Sequence, residues 1–163
     1  LHLTGAGAEE SVRQAYKAAG VHGVVHGFWD DMPLALGAAS AALMRAGASS
    51  MAELAAMRVP AILVPYPHAA GDHQFHNACA FESIGAAVLI EQHDLKPENL
   101  LAALRPMVED DPLRRRMQSA LESWHQPGAA AVISARLLGR AATATSDQTP
   151  RAVPLERINA LVA

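Results

Sequence analysis

Apolar residues in this chain come in short runs, separated by segments where they recur every three to four positions. A short run bounded by turn residues reads as a buried strand, and the longer period reads as a helix. Residues 1–3 read as the end of a strand, followed by the turn Thr4-Gly5-Ala6-Gly7 and a helix over about 9–19. Residues 24–28 read as the next strand, after which Asp30 or Asp31 caps a short helix carrying Met32, Leu34 and Leu36. A third strand over 41–44 leads through a small-residue turn into a helix that opens near Ser50 and ends near residue 57. The run 60–65 is bounded by Pro60 and Pro65, which suits a buried strand entering and leaving a sheet. A loop over 66–71, a helix over 73–84 and a fifth strand over 86–90 follow. Strands alternating with helices predict an α/β fold, a Rossmann-like parallel sheet with flanking helices.

The alternation then stops. Residues 97–108, 112–124 and 128–138 read as three consecutive helices, each starting near a proline or after a turn. Residues 141–154, rich in Ala, Thr, Ser and Pro, read as a flexible linker. Residues 155–162 place Leu155, Ile158, Leu161 and Val162 at helical spacing and read as a tail rather than a docking helix. The predicted organisation is one domain over 1–139 and a linker with tail over 140–163, without internal repeats.

Composition narrows the class. Of 163 residues, 51% are hydrophobic and only 4% aromatic, so the core must be built from Ala, Leu, Val, Ile and Met. The net charge is −3 and no dense Lys/Arg stripe appears, which argues against a nucleic-acid partner. The triplet Arg114-Arg115-Arg116 reads as a solvated helix face. The single cysteine, Cys79, excludes an internal disulfide and fits a reducing compartment. Flanked by Ala78, Ala80 and Phe81, it reads as a core residue and not a nucleophile. No apolar run reaches membrane-span length and no secretory signal is present, so a cytoplasmic location is expected. The chain opens on Leu1 inside a strand pattern, the expectation for a piece of a larger protein.

Ligands of open α/β sheets bind at the carboxyl ends of the strands, and three loops are expected to meet on that rim. Phe28-Trp29-Asp30-Asp31-Met32 offers aromatic contact and backbone polar groups that a base could use. Residues 47–53 join a small-residue turn to a helix start, where unpaired N–H groups suit a phosphate and Gly47 and Ala48 permit close approach. Glu53, one turn further on, can accept hydrogen bonds from a ribose diol. The same Ser50-Met51-Ala52-Glu53 also fits a capping box. The third loop, 65–77, is long and polar, and its Gln74 and Asn77 lie one helical turn apart, suited to sugar hydroxyls. His68, Asp72, His73 and His76 lack both an HExxH pattern and a third ligand at fixed spacing, so no metal and no cofactor are expected.

Four segments carry a resemblance. They are His2-Leu-Thr-Gly5, Phe28-Trp-Asp-Asp-Met32, Arg45-Ala-Gly-Ala-Ser-Ser-Met-Ala-Glu53, and Pro60-Ala-Ile-Leu-Val-Pro-Tyr-Pro-His-Ala-Ala70 running through Asp72-His-Gln74 to Asn77. In this order they resemble the donor-binding domain of the MurG family of bacterial peptidoglycan glycosyltransferases, over residues 1 to about 139. The resemblance implies the C-terminal half of a GT-B fold, lacking the first strand and helix of that domain. It implies UDP-N-acetylglucosamine as donor and an undecaprenyl-linked acceptor, lipid I, held by an N-terminal domain. Inverting transfer then yields lipid II.

Position by position, it implies that the Trp29 backbone recognises the uracil edge. The turn Ala48, Ser49, Ser50, with Met51 and Ala52 behind it, receives the pyrophosphate, and Glu53 the ribose. Gln74, with His73 and Asn77, reads the N-acetylglucosamine hydroxyls. Aliphatic residues are common in the family where Trp29 stands, and Asp where Gly71 stands. The resemblance also implies peripheral contact with the inner face of the bacterial cell membrane and a part in cell wall biogenesis, cell division and cell shape. No catalytic base is identifiable in this stretch, so the chain alone is expected to be inactive. Two readings stay open beside this one: the donor half of another GT-B glycosyltransferase, and a non-catalytic nucleotide-sugar binding module.

Overall fold

The computed structural model describes residues 1–139. The expected linker and tail over 140–163 lie outside the described residues. The chain divides into two units, one holding Leu1–Ala38 and the other beginning at Ala39.

The first unit comprises β1 (His2–Leu3), α1 (Glu9–Ala18), β2 (Val25–His26) and α2 (Met32–Ala38). β1 and β2 pair in parallel, His2 opposite Val25 and Leu3 opposite His26. Glu9 and Glu10 occupy the first turn of α1 and Lys17 the last, matching the helix dipole. Hydrogen bonds from Gln14 and Arg13 hold the Glu10 carboxyl below its ordinary pKa. Gly20, at φ 66°, lets the chain turn left-handed after α1, so that Gly20 N–H reaches Lys17 C=O and Val21 N–H reaches Tyr16 C=O. Of the two candidate caps for α2, it is the Asp31 carboxylate that accepts from Leu34 N–H, at 3.1 Å. Val25, Leu34 and Leu36 are its buried apolar residues.

The second unit comprises β3 (Ala42–Met44), α3 (Ala48–Met57), β4 (Ala61–Leu63), α4 (His73–Ser83), β5 (Ala87–Leu89), α5 (Pro97–Glu109), α6 (Asp111–Glu122) and α7 (Ala129–Leu137). Its sheet runs β3-β4-β5, all parallel, with Ala42, Ala61 and Ala87 abreast and Met44, Leu63 and Leu89 abreast. β4 is central and buried throughout, which is why its sequence is continuously apolar. Ile62 and Val64 share one face and pack with Ile90, Met107 and Met117. Ala61 and Leu63 alternate to the other face. Leu54 of α3 and Phe81 of α4 are fully buried, and the Phe81 ring lies 4.7 Å from that of Trp124.

The expected α/β fold of parallel strands with flanking helices is present, with β1-β2 paired in the first unit and β3-β4-β5 in the second. Two expectations need correction. Cys79 is half-buried and not a core residue; helical phase places Ala78 and Phe81 in the interior instead. The arginine triplet is not uniformly a solvated face. Arg114 Nη1 donates to the Met107 and Val108 carbonyls at 3.2 and 3.1 Å, satisfying the last turn of α5, and its other amine pairs with Asp111.

Candidate functional site

In the second unit the parallel register brings the carboxyl ends of β3, β4 and β5 side by side, so the segments leaving all three strands share one sheet edge. The segment after β3 is the shortest. Gly47 is the N-cap of α3, in an extended conformation (φ −69°, ψ 149°), and the helix starts at Ala48. Its first hydrogen bond runs from Met51 N–H to Gly47 C=O at 2.9 Å. The N–H groups of Ala48, Ser49 and Ser50 therefore precede the helical ladder with no partner in it.

This start, two residues earlier than expected, removes the capping box. Ser50 becomes the third helical residue rather than the cap, and no side-chain cap hydrogen bond forms. Among the described residues the hydroxyls of Ser49 and Ser50 and the carboxylate of Glu53 make no hydrogen bond. Met51 differs, since its side chain is only 5% exposed in the core and its N–H is committed to Gly47. Ala52 is exposed.

Gly47 has an informative environment. Its φ is one that any residue adopts, and a Cβ placed there would meet nothing closer than Ser50 Oγ at 3.8 Å. Neither backbone nor packing requires glycine at this position. A side chain there would project into open space.

The segment after β4 is organised by α4. A single 3-10 turn over Ala70–Asp72 precedes the helix, with Gly71 and Asp72 both left-handed (φ 57° and 51°). That backbone gives a local reason for glycine at position 71. His73 Nδ1 lies 2.8 Å from the Ala70 carbonyl, which can only accept, so Nδ1 carries a proton, and in the neutral ring Nε2 is the acceptor. Gln74 Oε1 accepts from Tyr66 N–H at 3.0 Å, leaving its amide nitrogen as donor. Asn77 Nδ2 donates to Ala46 C=O at 2.9 Å, leaving its amide oxygen as acceptor. Helical spacing puts His73, Gln74 and Asn77 on one face.

Trp29 belongs to the first unit. Its indole N–H donates to Asp31 C=O at 3.0 Å and its ring centroid lies 4.8 Å from that of His26. The side chain is thus held within its own loop, while the backbone N–H and C=O of Trp29 make no hydrogen bond among the described residues.

Residues 1–132 match the Glycosyltransferase family 28 C-terminal domain. The chain belongs to this family. Among curated relatives, it is 44% identical over 134 residues to the UDP-N-acetylglucosamine--N-acetylmuramyl-(pentapeptide) pyrophosphoryl-undecaprenol N-acetylglucosamine transferase of Acidithiobacillus ferrooxidans, covering 82% of this chain and 37% of the relative. It is also 44% identical over 133 residues to the enzyme of that name from Nitratidesulfovibrio vulgaris, covering 81% and 36%. The chain therefore spans a little over a third of the length of the curated relatives it matches. Among solved structures, it resembles Acinetobacter baumannii MurG with a TM-score of 0.77 and 30% identity, over 85% of this chain and 42% of that one. The calicheamicin glycosyltransferase CalG4 is similar at a TM-score of 0.53 and 27% identity, over 74% and 30%.

Within this family 28 domain, sequence reasoning quoted Arg45 only as part of a motif and missed its role. Arg45 Nη1 donates to the carbonyls of Val64 and Pro65, at 3.1 and 3.0 Å, and Nη2 to Gln92 Oε1 at 2.8 Å. Its guanidinium carbon lies 5.6 Å from the Tyr66 ring centroid. One side chain thus ties together the ends of β3 and β4 and the segment after β5, and it fixes the residue before Tyr66, whose N–H holds Gln74. Its partners lie 19, 20 and 47 residues away, so no local pattern signals them. No helix among the described residues is long and apolar enough to cross a membrane.

Proposed function

We propose that residues 1–139 form the donor-binding part of an N-acetylglucosamine transferase. It holds UDP-N-acetylglucosamine while the sugar passes, with inversion, to an undecaprenyl-pyrophosphoryl acceptor bearing a muramoyl pentapeptide. The observation that carries this reading is the Asn77–Ala46 hydrogen bond. It couples a helix N-terminus that opens on Gly47 and Ala48, suited to pyrophosphate, to the helix face bearing His73 and Gln74, suited to sugar hydroxyls. The family match and the relatives' names support the same donor.

In this reading the N–H groups of Ala48, Ser49 and Ser50 and the dipole of α3 stabilise the charge that develops on departing UDP. Ala52 completes the turn, and Met51 seats the helix from beneath. Glu53 accepts from the ribose diol. Gln74 donates to a sugar hydroxyl, and His73 Nε2 and Asn77 Oδ1 accept from others. The Trp29 backbone pairs with the uracil edge. Transfer also needs a base to take the acceptor's proton, and no residue of this chain is assigned that role. The base and the acceptor site belong to a further domain, and the chain alone binds donor without transferring sugar. The reading carries with it peripheral attachment at the cytoplasmic face of the membrane and a part in cell wall synthesis, cell division and cell shape.

The test is calorimetric titration of the chain with UDP-N-acetylglucosamine and UDP-glucose, repeated with Glu53→Ala. Loss of the diol contact should weaken donor binding about tenfold or more, since a hydrogen bond to a charged group contributes ~1.5–3 kcal/mol. Preference for UDP-glucose would favour another glycosyltransferase specificity. Absence of binding to a folded sample would reject the donor site altogether.

A further inference from the structure

Between α3 and α4 lies an apolar groove of about 210 Å³. Ala48, Ala52 and Ala55 line it from α3, and Asn77 and Phe81 line it from α4. The three alanines stand at i, i+4 and i+7, so they share one face of α3, and none reaches beyond its own Cβ. The groove thus separates the helix whose N-terminus offers free N–H groups from the helix that carries His73, Gln74 and Asn77. The Asn77–Ala46 hydrogen bond ties α4 only to the chain just before α3.

Trp124 lines the same groove and belongs to neither helix. It follows the end of α6, and its N–H donates to Leu121 C=O at 3.1 Å. Its ring lies 4.7 Å from that of Phe81, the two planes inclined at 60°. Phe81 is 1% exposed and Trp124 44%, so the indole covers a buried ring from the solvent side. Arg58, the C-cap of α3, donates through Nη2 to Glu122 Oε1 at 2.7 Å. The end of α6 is therefore fixed to α3 on one side and, through the indole, to α4 on the other.

We infer that Trp124 is a positioning residue for the donor site, its ring setting the spacing of α3 against α4. The inference rests on the proposed function, in which the N–H groups of Ala48, Ser49 and Ser50 hold pyrophosphate while Gln74 and Asn77 hold the sugar. These groups meet two parts of one ligand, and hydrogen bonds weaken steeply with distance and misalignment. A shift of α3 relative to α4 therefore weakens one set whenever the other is made. Trp124 has this effect without touching the donor.

The experiment compares Trp124→Phe, Trp124→Leu and Trp124→Met with wild type, by calorimetric titration with UDP-N-acetylglucosamine and by NMR of the ¹⁵N-labelled chain. Phenylalanine keeps a ring against Phe81, leucine removes it, and methionine fills space with a flexible chain that fixes no spacing. Met117→Ala is the control, since Met117 is buried in the cluster of Ile62, Val64, Ile90 and Met107, on no wall of the groove. The leucine and methionine variants should bind donor about fivefold or more weakly. The phenylalanine variant should stay within about twofold of wild type, and Met117→Ala should lower the urea midpoint without changing affinity. In the unliganded chain, the Asn77 side-chain amide and the amides of Ala48 to Ser50 should shift in the leucine and methionine variants alone. Leucine and methionine variants that bind like wild type, or no more weakly than Met117→Ala, overturn the positioning role. Loss of affinity without shifts in the unliganded chain means that the indole touches the donor, and overturns it too. The expected shifts in a chain whose wild type binds no donor keep the spacing role and overturn the proposed function instead.

Discussion

The Asn77 side-chain amide donates to the carbonyl of Ala46 at 2.9 Å, joining the start of α4 to the residue before the glycine of the α3 turn. Ala46 is fully buried, so this carbonyl has no water to fall back on. The two candidate binding surfaces, one for phosphate and one for sugar, are thereby held at a set separation.

Asn77→Asp is the sharpest test of that coupling. A carboxylate has nearly the same shape but cannot donate, so the Ala46 carbonyl loses its partner and faces a negative charge. The expected cost is about 1–3 kcal/mol of stability, read from urea unfolding. The accompanying loss of donor affinity should exceed that of Asn77→Ser, whose hydroxyl is still a donor.

Gly47 offers the opposite case. Alanine there meets no closer atom than Ser50 Oγ at 3.8 Å and the backbone needs no positive φ, so Gly47→Ala should change stability by less than about 1 kcal/mol, the scale of an N-cap exchange. Gly47→Val adds bulk where a pyrophosphate would lie against the backbone. Thermal melts should stay close to wild type for both variants, while affinity for UDP-N-acetylglucosamine falls stepwise from glycine to alanine to valine. Unchanged affinity in the valine variant would remove the phosphate role of this turn.

Arg45→Lys keeps the charge and discards the fork. Lysine cannot span two carbonyls and Gln92 together, so the exit of β4 loosens. We expect a stability loss of ~1 kcal/mol and, through Tyr66 and Gln74, weaker discrimination between N-acetylglucosamine and glucose donors than in wild type. A variant that loses stability but keeps its discrimination would show that Arg45 supports the fold alone.

Much of the fold was legible in the sequence because its signals are local. Val25, Ile62 and Val88 lie in short apolar runs, and the helices over 97–109 and 111–122 announce themselves by period and by Pro97 and Pro112 near their starts. The small-residue turn at Gly47 was legible for the same reason. Where the reading failed, two local signals competed. Ser50 and Glu53 fit a capping box by spacing, yet the helix begins at Ala48 because Gly47 already supplies an extended N-cap. Cys79 looked interior beside Ala78 and Phe81, and only the phase of α4 against its sheet turned it partly outward.

The sequence by itself determined the strand–helix alternation, the family and the residue types available for a nucleotide sugar, since these depend on neighbours within one or two turns. Tertiary structure alone decided which of those groups are committed. Asn77 reaches back 31 residues to Ala46, and Arg45 reaches forward 47 to Gln92. The physical reason is that a hydrogen bond depends on distance and direction in space, and over such separations these arise only when the parallel strands pack and bring their carboxyl ends together.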